Sequence, residues 1–281
     1  MLVSCSDRPV VNQEKIVTVS ILPQKFLVES LCGDKFKVNV LLPPGANHET
    51  FEPTPGDMAG LEGASLYIST GLLDFERNWL PRFTVSMKQL TVVNCSKGIE
   101  LLGGHKHEHS EKESHEENDH DSGLDPHIWL SPQAMKLQAI TITHSLVSSD
   151  STNVQFYISR LEQFNRLMDS TDQEIRKILK DSKGKAFMIF HPALAYFARD
   201  YELEQISIEE EGKEPSASKI QSLIDSARSK KIKCILVSKE FDLRHAEAIA
   251  KEINAKVVTF DPMSENWVSN ITELARIISE N

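Results

Sequence analysis

At 281 residues the chain is long for one hydrophobic core, so two lobes are expected. Hydrophobic residues at 40% and charged residues at 26% describe an ordinary globular composition, and no apolar run approaches the roughly 20 residues that cross a bilayer. A net charge of -10 without any basic cluster excludes nucleic acid as a partner.

Residues 1–14 read as a flexible N-terminal tether. Within it, Leu2-Val3-Ser4-Cys5 resembles the end of a bacterial lipoprotein signal, whose cysteine carries the lipid, although the charged and apolar segments that precede such a cysteine are missing. Cys5 is therefore the expected attachment point of a lipid anchor in the native protein. Residues 15–150 form the expected first lobe, beginning with a strand over 15–20 and a helix carrying Pro23 in its first turn. An alternating run over 36–42 gives a second strand, with further short strands at 66–69 and 90–93. Gly71, with Asp74 as candidate N-cap, opens the helical stretch between those last two. Ser131-Pro132 is a strong helix start, Ser as N-cap and Pro at the first helical position, leading into 133–147.

Residues 103–123 interrupt this lobe with a histidine-rich insert holding His105, His107, His109, His115 and His120, half of the ten histidines, among acidic residues and lysine. Almost no apolar side chain is available there for packing. Imidazoles among carboxylates bind zinc, nickel or copper in shifting arrangements, which makes these five auxiliary low-affinity metal ligands.

Residues 151–183 form the expected connecting helix. Tyr157, Leu161, Phe164, Met168, Thr171, Ile175 and Ile178 step by four and three without an internal Gly or Pro. The periodic segment over 153–179 that carries it is about 40 Å long at about 1.5 Å per residue, enough to run along both lobes. Residues 184–281, the second lobe, alternate strands at 185–190, 204–208, 234–237 and 256–260 with helices at 193–201, 216–230, 244–253 and 267–278. That β-α order implies an α/β fold: two lobes, each a mainly parallel sheet covered by helices, with ligands met beyond the carboxyl ends of the strands.

Three histidines sit in distinctive frames: Pro44-Gly45-Ala46-Asn47-His48-Glu49, Asp125-Pro126-His127-Ile128-Trp129-Leu130 and Phe190-His191-Pro192-Ala193. Asp261 follows the strand-like run Val257-Val258-Thr259-Phe260. Three neutral imidazoles and a carboxylate make a four-coordinate nitrogen/oxygen site suited to Zn²⁺ and other first-row divalent cations. Asp261 is alternatively the N-cap of a helix begun by Pro262, and Glu49 and Glu52 are weaker candidates for the fourth position. His144 and His245, in or beside predicted helices, read as structural or surface residues. Asp125, Glu209, Glu210, Glu211 and Glu214 are placed to orient ligands or line an entrance. The cysteines Cys5, Cys32, Cys95 and Cys234 form no CxxC pair, which excludes a sulfur-ligated zinc site; the last three read as small buried hydrophobes.

The frames around His48, with Phe51-Glu52-Pro53 following, around His127, and His191-Pro192-Ala193-Leu194-Ala195-Tyr196-Phe197 together resemble the metal-binding solute-binding proteins of bacterial ABC importers for zinc and manganese. The resemblance runs from about Lys15 to the C-terminus, and three framed motifs in the family's order make it specific. It implies metal held between two lobes by His48, His127, His191 and Asp261, and a function outside the cytoplasmic membrane, periplasmic or at the cell surface. It also implies delivery to an ABC permease with its ATPase, no catalysis, and a monomer that meets the membrane only through its lipid anchor. Manganese-type members tend to carry glutamate at the place of His191, so the third imidazole leans toward Zn²⁺ over Mn²⁺. Some zinc members carry a disulfide in the second lobe; here only Cys234 lies there, so stabilisation must come from packing. The rival readings are a zinc-dependent hydrolase, which fits if Asp261 leaves a position open for water, and a surface adhesin. Against the first, no HExxH helix, G-x-S-x-G elbow or P-loop occurs.

Overall fold

The computed structural model describes residues 14–85, 87–103, 123–209, 216–241 and 243–281. Cys5, the insert histidines His105, His107, His109, His115 and His120, and Glu210, Glu211 and Glu214 lie outside the described residues.

The first lobe is built from β1 (Ile16–Val19), α1 (Leu22–Cys32), β2 (Lys37–Val40), α2 (Pro55–Ala59), β3 (Ala64–Ser69), α3 (Asp74–Thr84) and β4 (Thr91–Asn94). Its strands are wholly parallel in the order β2-β1-β3-β4. Strands rich in Val and Ile, buried on both faces by helices, favour that arrangement. The second lobe repeats it with β5 (Ala186–Ile189), α6 (Ala195–Asp200), β6 (Glu204–Ser207), α7 (Ala217–Ser229), β7 (Cys234–Val237), α8 (Arg244–Ile253) and β8 (Lys256–Thr259), in the order β6-β5-β7-β8. In each sheet the chain steps outward to one side and then returns to the other. The strand order therefore reverses between β1 and β3 and between β5 and β7, where open α/β sheets meet their ligands.

The first lobe closes with α4 (Pro132–Ser149), the long α5 (Val154–Ile178) joins the lobes, and the chain ends in α9 (Trp267–Ser279). At 25 residues α5 is about 37 Å long, close to its expected length. It packs against α1 and α4 of the first lobe and against α9 of the second. The predicted stripe is its buried face: Tyr157, Phe164, Met168, Thr171 and Ile175 are buried. One hydrophobic cluster accordingly runs through both lobes, from Val17, Leu27 and Tyr67 by way of Trp129 and Met168 to Tyr196, Trp267 and Leu274. A smaller one under α7 and α8 holds Met188, Ile208, Leu223, Ile235 and Ile249. Phe26 of α1 stacks on Trp267 of α9, centroids 6.1 Å apart at 9°, and the Lys25 ammonium pairs with Glu265 at 2.6 Å. Cys32, Cys95 and Cys234 are buried and unbridged, as expected.

Local expectations needed correction at three places. Asp74 is the first residue of α3, not its cap; the orphan N–H groups before the helix are met by the Glu76 carboxylate, which accepts from Thr70 N at 2.9 Å and Gly71 N at 2.7 Å. Pro192 begins a turn, and α6 starts only at Ala195: Ala193 N donates to the His191 carbonyl, and Leu194 N is taken by the Gln205 side chain at 2.7 Å. Pro262 likewise starts no helix, since α9 begins at Trp267; Asp261 closes a local turn by accepting from Met263 N at 2.9 Å. Ser131, by contrast, caps α4 as predicted, accepting from Ala134 N at 3.0 Å.

Candidate metal centre

Each histidine is presented by a short rigid segment. His48 lies in the loop between β2 and α2, beyond Gly45, whose φ of 80° puts it in the left-handed region that glycine adopts freely. His127 stands between Pro126 and a 3-10 turn over Ile128–Leu130, and His191 lies just past β5 at the point where the strand order reverses. All three are buried, with 2%, 3% and 5% of their surface exposed.

Their ring nitrogens converge. His48 Nε2 is 3.0 Å from His127 Nε2, and His127 Nε2 is 3.4 Å from His191 Nε2. Zinc–nitrogen bonds of about 2.0–2.1 Å at tetrahedral angles place two ligand nitrogens about 3.3 Å apart. The two pairs that share His127 therefore stand close to the spacing such a cation imposes, and potential ligand atoms of all three rings lie within 4.8 Å of one another. Without one, converging lone pairs repel or must share a proton.

Two of the rings are held from behind. Asp125 Oδ1 accepts from both His127 N and His127 Nδ1 at 2.8 Å, and Glu209 Oε2 lies 3.1 Å from His191 Nδ1. A proton fixed on Nδ1 by a carboxylate leaves the Nε2 lone pair facing inward and makes it more basic. Phe241 adds a flat contact, stacked on His191 at 5.1 Å and 16°. His48 differs, its Nδ1 being buried with no hydrogen-bond partner among the described residues.

The electrostatics separate the rings. Burial, and then the neighbouring imidazoles of His127 and His191, hold the His48 pKa well below its ordinary value, so this ring is neutral. Burial alone would also lower His191, but the Glu209 hydrogen bond and the charges of Glu49, Glu209 and Asp125 override it and raise the pKa. Burial pushes up the carboxyls of Glu49 and Glu240.

Among the carboxylates, Glu49 Oε1 is 3.5 Å from His191 Nε2, and Glu49, His191 and Glu209 form a second group with potential ligand atoms within 4.8 Å of one another. Asp261 belongs to neither close group among the described residues, and the exposed Glu52 belongs to neither as well. The Asp261 loop nevertheless touches the site from behind, because Trp129 Nε1 donates to the Pro262 carbonyl at 2.8 Å. His144 is exposed on α4 and His245 is half-buried on α8. Sequence reasoning missed Glu240 and Phe241, directly after β7; the carboxyl end of a central strand was the signal that would have found them.

The chain matches the family described as zinc-uptake complex component A, periplasmic, over residues 17–281. It belongs to this family. Among relatives, the high-affinity zinc uptake system protein ZnuA of Bacillus subtilis is 30% identical over 244 residues, covering 85% of this chain and 76% of that protein. A crystal structure of ZnuA superposes with a TM-score of 0.85 at 36% identity, covering 95% of this chain and 98% of that one. A ZnuA deletion mutant crystallised with zinc bound gives a TM-score of 0.84 at 36% identity, covering 95% and 97%. Two lobes of parallel sheet joined by a long helix are thus the architecture of the family as well as of this chain.

Proposed function

We propose that this protein captures Zn²⁺ outside the cytoplasmic membrane and delivers it to an ABC permease driven by its ATPase. The observation that carries this reading is the convergence of the His48, His127 and His191 ring nitrogens, two pairs of them close to tetrahedral zinc spacing, in a chain of the zinc-uptake family. The three imidazoles are the ligands. A carboxylate takes the fourth position, and two compete for it: the sequence favours Asp261, whereas Glu49 is the nearer in space. Three nitrogens and one oxygen favour zinc over manganese, which prefers oxygen-rich sets. The protein acts as a monomer without catalysis, the five insert histidines collect metal weakly, and Cys5 anchors the chain to lipid; the family's periplasmic description supports this placement.

The test is calorimetric titration of chelator-stripped protein with Zn²⁺ and with Mn²⁺. One tight zinc site with much weaker manganese binding is expected, lost when His48, His127 or His191 is changed to Ala. Alanine at Glu49 and at Asp261 in turn identifies the fourth ligand as the change that weakens binding more. Unchanged zinc affinity in all three histidine variants would sink the assignment.

A further inference from the structure

The two histidines held by carboxylates come from different lobes, and something must set the distance between them. Tyr196, which follows His191 in the chain, bonds directly to the backbone of the Asp125–His127 segment. It sits on α6, five residues after His191, and is fully buried. Its hydroxyl donates to the Asp125 carbonyl at 2.8 Å and accepts from Leu102 N at 3.1 Å. Those two residues are themselves paired, Asp125 N donating to the Leu102 carbonyl at 3.0 Å, next to an antiparallel bridge between Gly103 and Leu124. One phenol oxygen of the second lobe thus closes the two-stranded neck of the first, directly behind the carboxylate that orients His127.

We propose that Tyr196 is a positioning residue for the metal site, its hydroxyl locking the Asp125–His127 segment to the His191 segment across the lobes. The proposal rests on the zinc reading above. The Tyr196 hydroxyl bonds to the Asp125 carbonyl and Leu102 N and, among the described residues, to no ligand nitrogen, so its effect passes through Asp125. A hydroxyl satisfied on both sides has one position. Without it, Leu102 N and the Asp125 carbonyl must find other partners, and the neck is free to shift relative to β5. A ligand nitrogen moved by a few tenths of an ångström no longer matches the tetrahedral spacing.

The test is Tyr196→Phe, which keeps the ring and removes only the oxygen, compared with Tyr201→Phe. Tyr201, which caps the end of the same helix, donates from a buried hydroxyl to Asp172 Oδ1 of α5 at 3.0 Å. Tyr196→Phe loses two buried hydrogen bonds and Tyr201→Phe one, and both are expected to lower the denaturant midpoint. Only Tyr196→Phe is expected to weaken zinc, by about tenfold as other supporting contacts of metal ligands do, and to change the visible spectrum of the Co²⁺-substituted protein. Zinc affinity and cobalt spectrum both unchanged in Tyr196→Phe would overturn the proposal. So would an equal loss in Tyr201→Phe, which would mean general loosening. His127→Ala is run alongside: if it keeps tight zinc, the reading of the site itself falls, a result distinct from either of these.

Discussion

Asp125 offers the sharpest quantitative test of how the site is held. A single oxygen, Oδ1, accepts from both the backbone N–H and the ring Nδ1 of His127, each at 2.8 Å. Asp125→Asn keeps an oxygen able to accept both bonds and removes only the charge. Charge-assisted bonds are about twice as strong as neutral ones, so the loss is about 1 kcal/mol, or about fivefold in zinc affinity. Asp125→Ala removes the acceptor altogether, freeing the tautomer and the ring plane. Loss of such support costs about tenfold to a hundredfold in metal affinity, or about 1.4–2.7 kcal/mol. The assay is competition against a chromophoric chelator at fixed pH, with denaturant unfolding of the metal-free variants showing that each is folded. The expected order is wild type, then Asn, then Ala. An Ala variant binding zinc within about twofold of wild type, well short of the expected loss, would refute the orienting role of Asp125. Equal losses in Asn and Ala would refute the division between charge and geometry.

Other outcomes follow from the same geometry. Zinc affinity should fall on acidification, since a proton on one imidazole of ordinary pKa about 6.5 already weakens binding about tenfold one pH unit below it. The raised pKa of His191 moves that loss to higher pH, and titrations in two buffers of different ionisation enthalpy count the protons released. For the metal-free protein the sign is opposite: a raised folded-state pKa means His191 contributes stability that is full below about pH 6.5 and lost as pH rises through the folded value. Glu76→Gln should cost about 3 kcal/mol in urea unfolding, because an amide nitrogen cannot accept. The carboxylate it replaces is buried and accepts from Ser20 Oγ, Thr70 N, Thr70 Oγ1 and Gly71 N. Deleting residues 105–122 should spare the tight zinc site and remove only weaker binding, since Gly103 and Leu124 are already bridge partners that the remaining Gly104-Gly123 pair can join as a two-residue turn; loss of the tight site in calorimetry would show that the insert owns it.

The sequence by itself determined the elements and the histidines. Apolar periods of two and of three to four depend only on which faces are buried, so all eight strands of the two sheets and the long α5 were legible, as was the Ser131-Pro132 start of α4. The framed histidines were legible because Pro and Gly mark segments whose backbone is fixed locally. What failed locally did so where a distant group won: Glu76 caps α3 in place of Asp74, and Gln205 takes the Leu194 N–H that would otherwise have extended α6. Only the tertiary structure decided how far apart the ligand nitrogens stand, because His48 and His191 belong to different lobes and share no sequence neighbourhood. It alone distinguishes Asp125 and Glu209 as the carboxylates behind two of the rings, sets Glu49 nearer than Asp261, and brings Phe241 and Tyr196 to the site. A sequence records which groups a chain can offer. The packing of α5 and α9 between the lobes fixes their separation, and a metal site is selective only at fixed separations.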